Sequence, residues 1–146
     1  MDKLQIVNHL LALGAAFALA MPIGWDREQR ARSAGLRTFP LVALASCGFV
    51  QASESLLVHS PDGMSKVIEG VITGIGFIGG GAILKQGTSV QGTATAASLW
   101  ATGAIGVSVG LGQYDVAATI AVLTFLTLSL LTKIKEQAPG LGDKPD

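Results

Sequence analysis

A chain of 146 residues that is 49 % hydrophobic and only 14 % charged has too few charges to cover a soluble domain, where the charged share is about 25 %. Ten basic and ten acidic residues cancel, so no basic surplus is left to neutralise phosphates, which excludes a nucleic-acid binder. One cysteine, Cys47, excludes an intramolecular disulfide and a cysteine-based zinc site, and 19 glycines point to helices packed closely in lipid.

Apolar stretches over 4–23, 36–53, 67–84, 94–112 and 116–132 predict an all-α membrane protein of about five transmembrane helices. Each holds 17 to 20 residues, near the ~20 that cross a ~30 Å hydrocarbon core. The first stretch is expected to close at Pro22 and Gly24, before the charged run from Asp26 to Arg32. Lys3, the apolar run and Ala18-Leu19-Ala20 imitate a secretory signal, but Asp2 cancels Lys3, and cleavage would leave an Arg-rich loop outside. The second stretch runs into Glu54, and Ser60-Pro61-Asp62-Gly63 reads as a turn before the third. Lys85-Gln86-Gly87 is expected to end the third, and Gly112-Gln113-Tyr114-Asp115 separates the last two. With the N-terminus outside and the C-terminus cytoplasmic, cytoplasmic segments hold eight basic residues and external ones two. The positive-inside tendency favours that orientation. The membrane domain is expected over 1–135, and 136–146 reads as a short disordered cytoplasmic tail.

Twelve of the glycines fall between Lys66 and Gly112. Gly70 and Gly74, Gly76 and Gly80, and Gly106 and Gly110 are each four apart, a spacing that makes a flat groove for a neighbouring helix. Gly79, Gly81 and Gly103 belong to the same expected packing set, which would hold the third and fourth spans together. Thr95, Ser98 and Thr102 form a polar stripe expected to hydrogen-bond across helices. The string from Gly74 to Gly79 matches the dinucleotide pattern G-x-G-x-x-G. That pattern needs a preceding strand and a following acidic residue, and here it lies inside an apolar helix. The competing reading is an unwound stretch lining an ion path.

Four residues, Glu69, Thr73, Thr95 and Trp100, make up the candidate polar path. The structural alternative for Glu69 is an interfacial carboxylate paired with Lys66 one turn back. Asn8 and His9 read as polar lining or as residues near the outer interface, and a lone histidine makes no stable metal site. Asp26, Arg27, Glu28, Arg37 and Thr38 crowd charges of both signs at the cytoplasmic interface, for contact with a partner or with lipid headgroups. Arg27 and Arg37 are expected either to pair with Asp26 or Glu28 or to hold anionic lipid headgroups. The plainer reading is a positive-inside anchor with Trp25 in the aromatic belt. No arrangement suggests a hydrolytic triad, so neither catalytic residues, cofactor, metal site nor enzymatic activity is expected.

The strings Gly-Trp-Asp-Arg-Glu at 24–28, Ala-Gly-Leu-Arg-Thr at 34–38, Gly-Ile-Gly-Phe-Ile-Gly-Gly-Gly at 74–81 and Gly-Thr-Ala-Thr-Ala-Ala-Ser-Leu-Trp at 92–100 resemble those of the MgtC/SapB family. Ala104-Ile105-Gly106 and Gly110-Leu111-Gly112 continue the likeness, which spans roughly 10–132. The resemblance implies a bacterial inner-membrane protein that is regulatory or accessory in adaptation to magnesium limitation, with the F-type ATP synthase as a membrane partner. Its best-known members support survival of pathogens inside host cells. Asp26 stands where the family commonly has Glu, Thr93-Ala94 where an apolar residue precedes Thr or Asn, and Ala101 where some members have Cys. Longer members carry a soluble domain after the last helix, and the expectation for this chain is a short member without it. The competing functions are a small magnesium or proton transporter and a homo-oligomeric structural component of the membrane.

Overall fold

The computed structural model describes residues 3–30, 34–57 and 60–131; the expected tail lies outside them. Each predicted apolar stretch falls on one helix: α1 (Lys3–Gln29), α2 (Thr38–Leu57), α3 (Pro61–Gly81), α4 (Thr93–Gly110) and α5 (Tyr114–Leu126), the last continued by a π-helical turn over Thr127–Leu131. Two of these segments, Lys3–Gln29 and Tyr114–Leu131, are by length and composition apolar enough to cross a membrane. The other three are diluted by glycine, serine and threonine.

Several boundaries differ from expectation. Helix α1 does not close at Pro22 and Gly24 but runs 27 residues, about 40 Å, through both and into the charged run. Proline removes a single backbone donor, and packing on one face holds the helix together across that gap. That face is a stripe of small residues, Ala12, Ala16, Ala20 and Gly24, all buried at four-residue spacing. The Ser60 segment is not a turn but the start of α3. The Ser60 hydroxyl accepts from the Gly63 amide at 3.2 Å, Pro61 occupies the first turn, and Asp62 sits at the positive end of the helix.

Between α3 and α4 the chain forms an unpredicted hairpin, β1 (Leu84–Gln86) against antiparallel β2 (Ser89–Gln91), with Lys85 opposite Val90. Gly87, expected to end a span, supplies the positive φ of the two-residue turn. Gly92 leads from the hairpin into α4 at φ 90°, where any Cβ would overlap the Ala82 carbonyl oxygen. Only glycine fits there.

Helix α4 is the axis of the molecule. It packs on α1, α2, α3 and α5, most extensively on α2, and buries residues all round, including Leu99, Ile105 and Val109. The core continues through Phe39, Ala43 and Cys47 of α2, Val71 and Ile75 of α3 and Ala117 and Ala121 of α5. The outer surface carries large apolar side chains, among them Leu4, Leu10, Phe49, Leu123 and, at 85 % exposure, Phe77. An apolar exterior of that extent suits lipid, not water.

Candidate functional site

The last turns of α1 place the charged residues. Asp26 and Arg27 are 7 % and 2 % exposed. Both Nε and a terminal nitrogen of Arg27 donate to Asp26 Oδ2, the first at 3.0 Å. Arg30, one turn on, donates from Nε to Asp26 Oδ1 at 3.1 Å. Ser129, on the π-helical turn after α5, reaches the same oxygen at 3.5 Å across 103 residues of sequence. Burial pushes the Asp26 carboxyl up, but the hydrogen bonds and charges of Arg27 and Arg30 together outweigh it and hold the carboxyl below its ordinary 3.8. This cluster therefore stays ionised near neutrality and ties the end of α1 to the end of α5.

Glu28 does different work from its neighbours. Its Oε2 accepts the Leu36 amide at 3.1 Å, and a Cβ on Gly35 would overlap that carboxylate. The Gly35 carbonyl in turn accepts the Thr38 and Phe39 amides at 3.0 and 3.2 Å, opening α2. Gly24 completes the corner, since a Cβ there would lie 3.2 Å from the same carbonyl oxygen. Of the two readings for these arginines, Arg27 follows the first and pairs with Asp26, whereas the exposed Arg37 pairs with none of the described residues. Arg37 sits eleven residues from Asp26, on the far side of the corner that Glu28 holds closed. Arg30 and Ser129 were missed by sequence reasoning. The i, i+4 relation of Asp26 and Arg30 is visible in the sequence, but no local pattern reports Ser129.

The glycines divide into two populations. Those of α4 are filled from outside: Gly106 lies against the Ala43 carbonyl and Ser46 of α2, Gly110 against Val50 and Cys47, and Gly103 against Ile75 of α3. Of the α3 glycines from Gly70 to Gly81, Gly79 alone is so placed: a Cβ there would lie 3.3 Å from the Ala96 carbonyl oxygen. Gly70, Gly74, Gly76, Gly80 and Gly81 have open space where a Cβ would stand. The whole string from Gly74 to Gly81 is continuous α-helix, so it is neither a strand-turn nucleotide loop nor an unwound segment.

The polar candidates are dispersed. Glu69 and Thr73 lie on the exposed side of α3, with the Thr73 hydroxyl donating to the Glu69 backbone carbonyl at 2.9 Å. Among the described residues Glu69 forms no ion pair with Lys66. Thr95 is buried at the start of α4, and Trp100 is half exposed beside Gly103 and Ile75. The Ser98 and Thr102 hydroxyls donate to their own helix, to the Thr95 and Ser98 carbonyls, instead of across helices. Back-bonding satisfies a hydroxyl without needing a polar neighbour in an apolar interior. At the opposite end from Asp26, Asn8 and His9 line a cavity of about 930 Å³ together with Glu54 and Tyr114.

The residues of the charged corner and of both glycine populations lie within the region that comparison with known proteins picks out. The model of the MgtC family matches residues 13–137. The chain is similar to protein MgtC of Salmonella typhimurium strain LT2, 40 % identical over 124 residues that make up 84 % of this chain and 52 % of that protein. It is similar also to protein MgtC of Brucella abortus strain 2308, 41 % identical over 126 residues, 86 % of this chain and 52 % of that one. The chain thus spans about half the length of the curated relatives it matches. No solved structure matches. By a family match over most of its length and by these identities, the chain belongs to the MgtC family.

Proposed function

We propose that this chain is a multi-pass inner-membrane protein with five spans, its N-terminus outside and its C-terminus cytoplasmic, and that it is a non-enzymatic regulatory or accessory factor in adaptation to magnesium limitation. Supporting the topology are the eight-to-two distribution of basic residues and an exterior of large apolar side chains. The magnesium context rests on the family, whose magnesium-linked members this chain resembles.

The observation that carries the mechanism is a stripe on α3. Glu69, Thr73, Gly76 and Gly80, spaced by four, three and four residues, share one exposed face, and both glycines are open. The Thr73 hydroxyl is satisfied by its own helix, but the Glu69 carboxylate facing lipid is costly unless something covers the pair. Two open glycines beside them let another helix approach closely enough to do so. The stripe is therefore read as the docking face for a helix of a membrane partner, the F-type ATP synthase being the candidate that family resemblance supplies. The Asp26 corner fixes the cytoplasmic ends of α1 and α5 that frame the bundle.

A photo-crosslinker at Thr73, in native membranes under low and high magnesium, tests this. Capture of a partner that Gly76→Leu abolishes is expected; capture unchanged by Gly76→Leu overturns the docking face. Purified protein in sealed liposomes tests the competing class, since magnesium or proton flux lost in Glu69→Gln would make the chain a transporter instead. Reporter fusions after Arg32 and after Lys135 check the orientation, and an external signal at either reverses it.

A further inference from the structure

A different flank of α3, turned toward α2, carries a groove of about 750 Å³. Leu41, Ala45 and Phe49 form its α2 wall, and Val67, Gly74 and Ile78 its α3 wall. Ser46 and Ser53 also border it, but their hydroxyls donate to the Val42 and Phe49 carbonyls of their own helix at 2.8 Å each. The groove is therefore apolar along its length. One end differs. There Arg37 and Thr38, at the start of α2, close the groove. Arg27 and Arg30 are spent on Asp26, whereas Arg37 is exposed and without an ion pair among the described residues.

From Thr38 to Ser53 the α2 wall runs about 22 Å. One leaflet of a ~30 Å hydrocarbon core is about 15 Å deep, so an acyl chain entering at the Arg37 end fits within the groove. We propose that the α2–α3 groove is a site for an anionic phospholipid of the cytoplasmic leaflet. One acyl chain lies between Phe49 and Gly74, and the phosphate sits on Arg37 and the Thr38 hydroxyl at the N-terminal end of α2. Charge complementarity selects the occupant: the groove is apolar, and its single lining cation is at the level where a headgroup phosphate lies. The site is separate from the Glu69–Gly80 stripe, which occupies the other side of α3. It rests on the cytoplasmic placement of the α2 N-terminus but not on the partner-docking role.

The full chain, reconstituted in nanodiscs of equimolar phosphatidylglycerol and phosphatidylcholine and then extracted in mild detergent, is read by native mass spectrometry for retained lipid. Phosphatidylglycerol is expected to be retained over phosphatidylcholine, and Arg37→Gln to lower that preference about fivefold, the value of one cation at a membrane surface. Gly74→Leu is expected to abolish retention of both lipids while leaving the unfolding midpoint unlowered, because its Cβ position is open. Equal retention of the two lipids, a preference indifferent to Arg37→Gln, or retention indifferent to Gly74→Leu overturns the site. Extraction as a dimer without bound lipid overturns it too and assigns the groove to a second copy. Failure of the membrane reading is seen separately, as a chain that does not enter the nanodisc.

Discussion

Substituting alanine at Gly106 and at Gly76 should move stability in opposite directions. Both are interior helix positions, so each gains about 1 kcal/mol from replacing glycine with the best helix former. Because that gain is common, the difference between the two variants isolates packing. At Gly76 a new Cβ meets nothing within 4 Å. At Gly106 it overlaps the Ala43 carbonyl oxygen and lies 2.7 Å from Ser46 Cβ. Overpacking costs about 1–3 kcal/mol, and the upper end applies where the obstructing atom is backbone, since relief requires α2 to retreat from α4 as a unit. Gly106→Ala should therefore lose about 2 kcal/mol net, Gly76→Ala should gain about 1, and the gap should be about 3 kcal/mol. Denaturant unfolding in one mild detergent, followed through the fluorescence of Trp25 and Trp100, measures it. A gap below about 1 kcal/mol, or a shift of the same sign in both, would refute the division of the glycines into filled and open sets.

Asp26→Ala leaves Arg27 buried at 2 % exposure without its carboxylate, and should cost about 3–5 kcal/mol in the same unfolding assay. The folded pKa of Asp26 lies below its unfolded value, so its contribution is complete above the unfolded pKa and is lost as pH falls through the folded one. The unfolding midpoint should accordingly decline on the acid side of the ordinary carboxylate range, and Asp26→Asn should flatten that limb; an unchanged limb would remove Asp26 as its cause. Ser60→Ala deletes the α3 cap and should cost about 1 kcal/mol, with faster hydrogen exchange at the Gly63 amide and recovery in Ser60→Asp.

The five helices were legible because a run of apolar residues near twenty long is a signal that composition alone sustains. Their ends were not. Pro22 and Gly24 look like a stop, yet the stripe of Ala12, Ala16, Ala20 and Gly24 packs through them. Ser60-Pro61-Asp62 looks like a turn because turn chemistry and N-cap chemistry use the same residues. In the charged corner, Asp26 with Arg27 and Arg30 follows from spacing, while Ser129 depends on how α5 returns across the bundle. Four-residue glycine spacing reports that two glycines share a face, but not which neighbour, if any, lies on it. That is why Gly106 and Gly76 read alike in sequence and differ in space.

The open glycines of α3 sharpen the functional argument. Gly106 and Gly110 cost helix stability, but α2 occupies the space they leave, so burial of Ala43, Cys47 and Val50 offsets them. Gly76 and Gly80 carry the same cost, about 2 kcal/mol for the pair relative to alanine, and among the described residues nothing packs on them to offset it. Helix α3 packs chiefly on α2 and α4, and the side bearing Glu69, Thr73, Gly76 and Gly80 is exposed among the described residues. On the proposed docking face, a contact outside the chain offsets both the helix cost and the exposed carboxylate. The penalty of the stripe should thus reappear as affinity: Gly76→Ala should stabilise the isolated protein and weaken partner capture together. A variant that gains stability with full capture would separate the two and leave the open glycines without the role assigned to them.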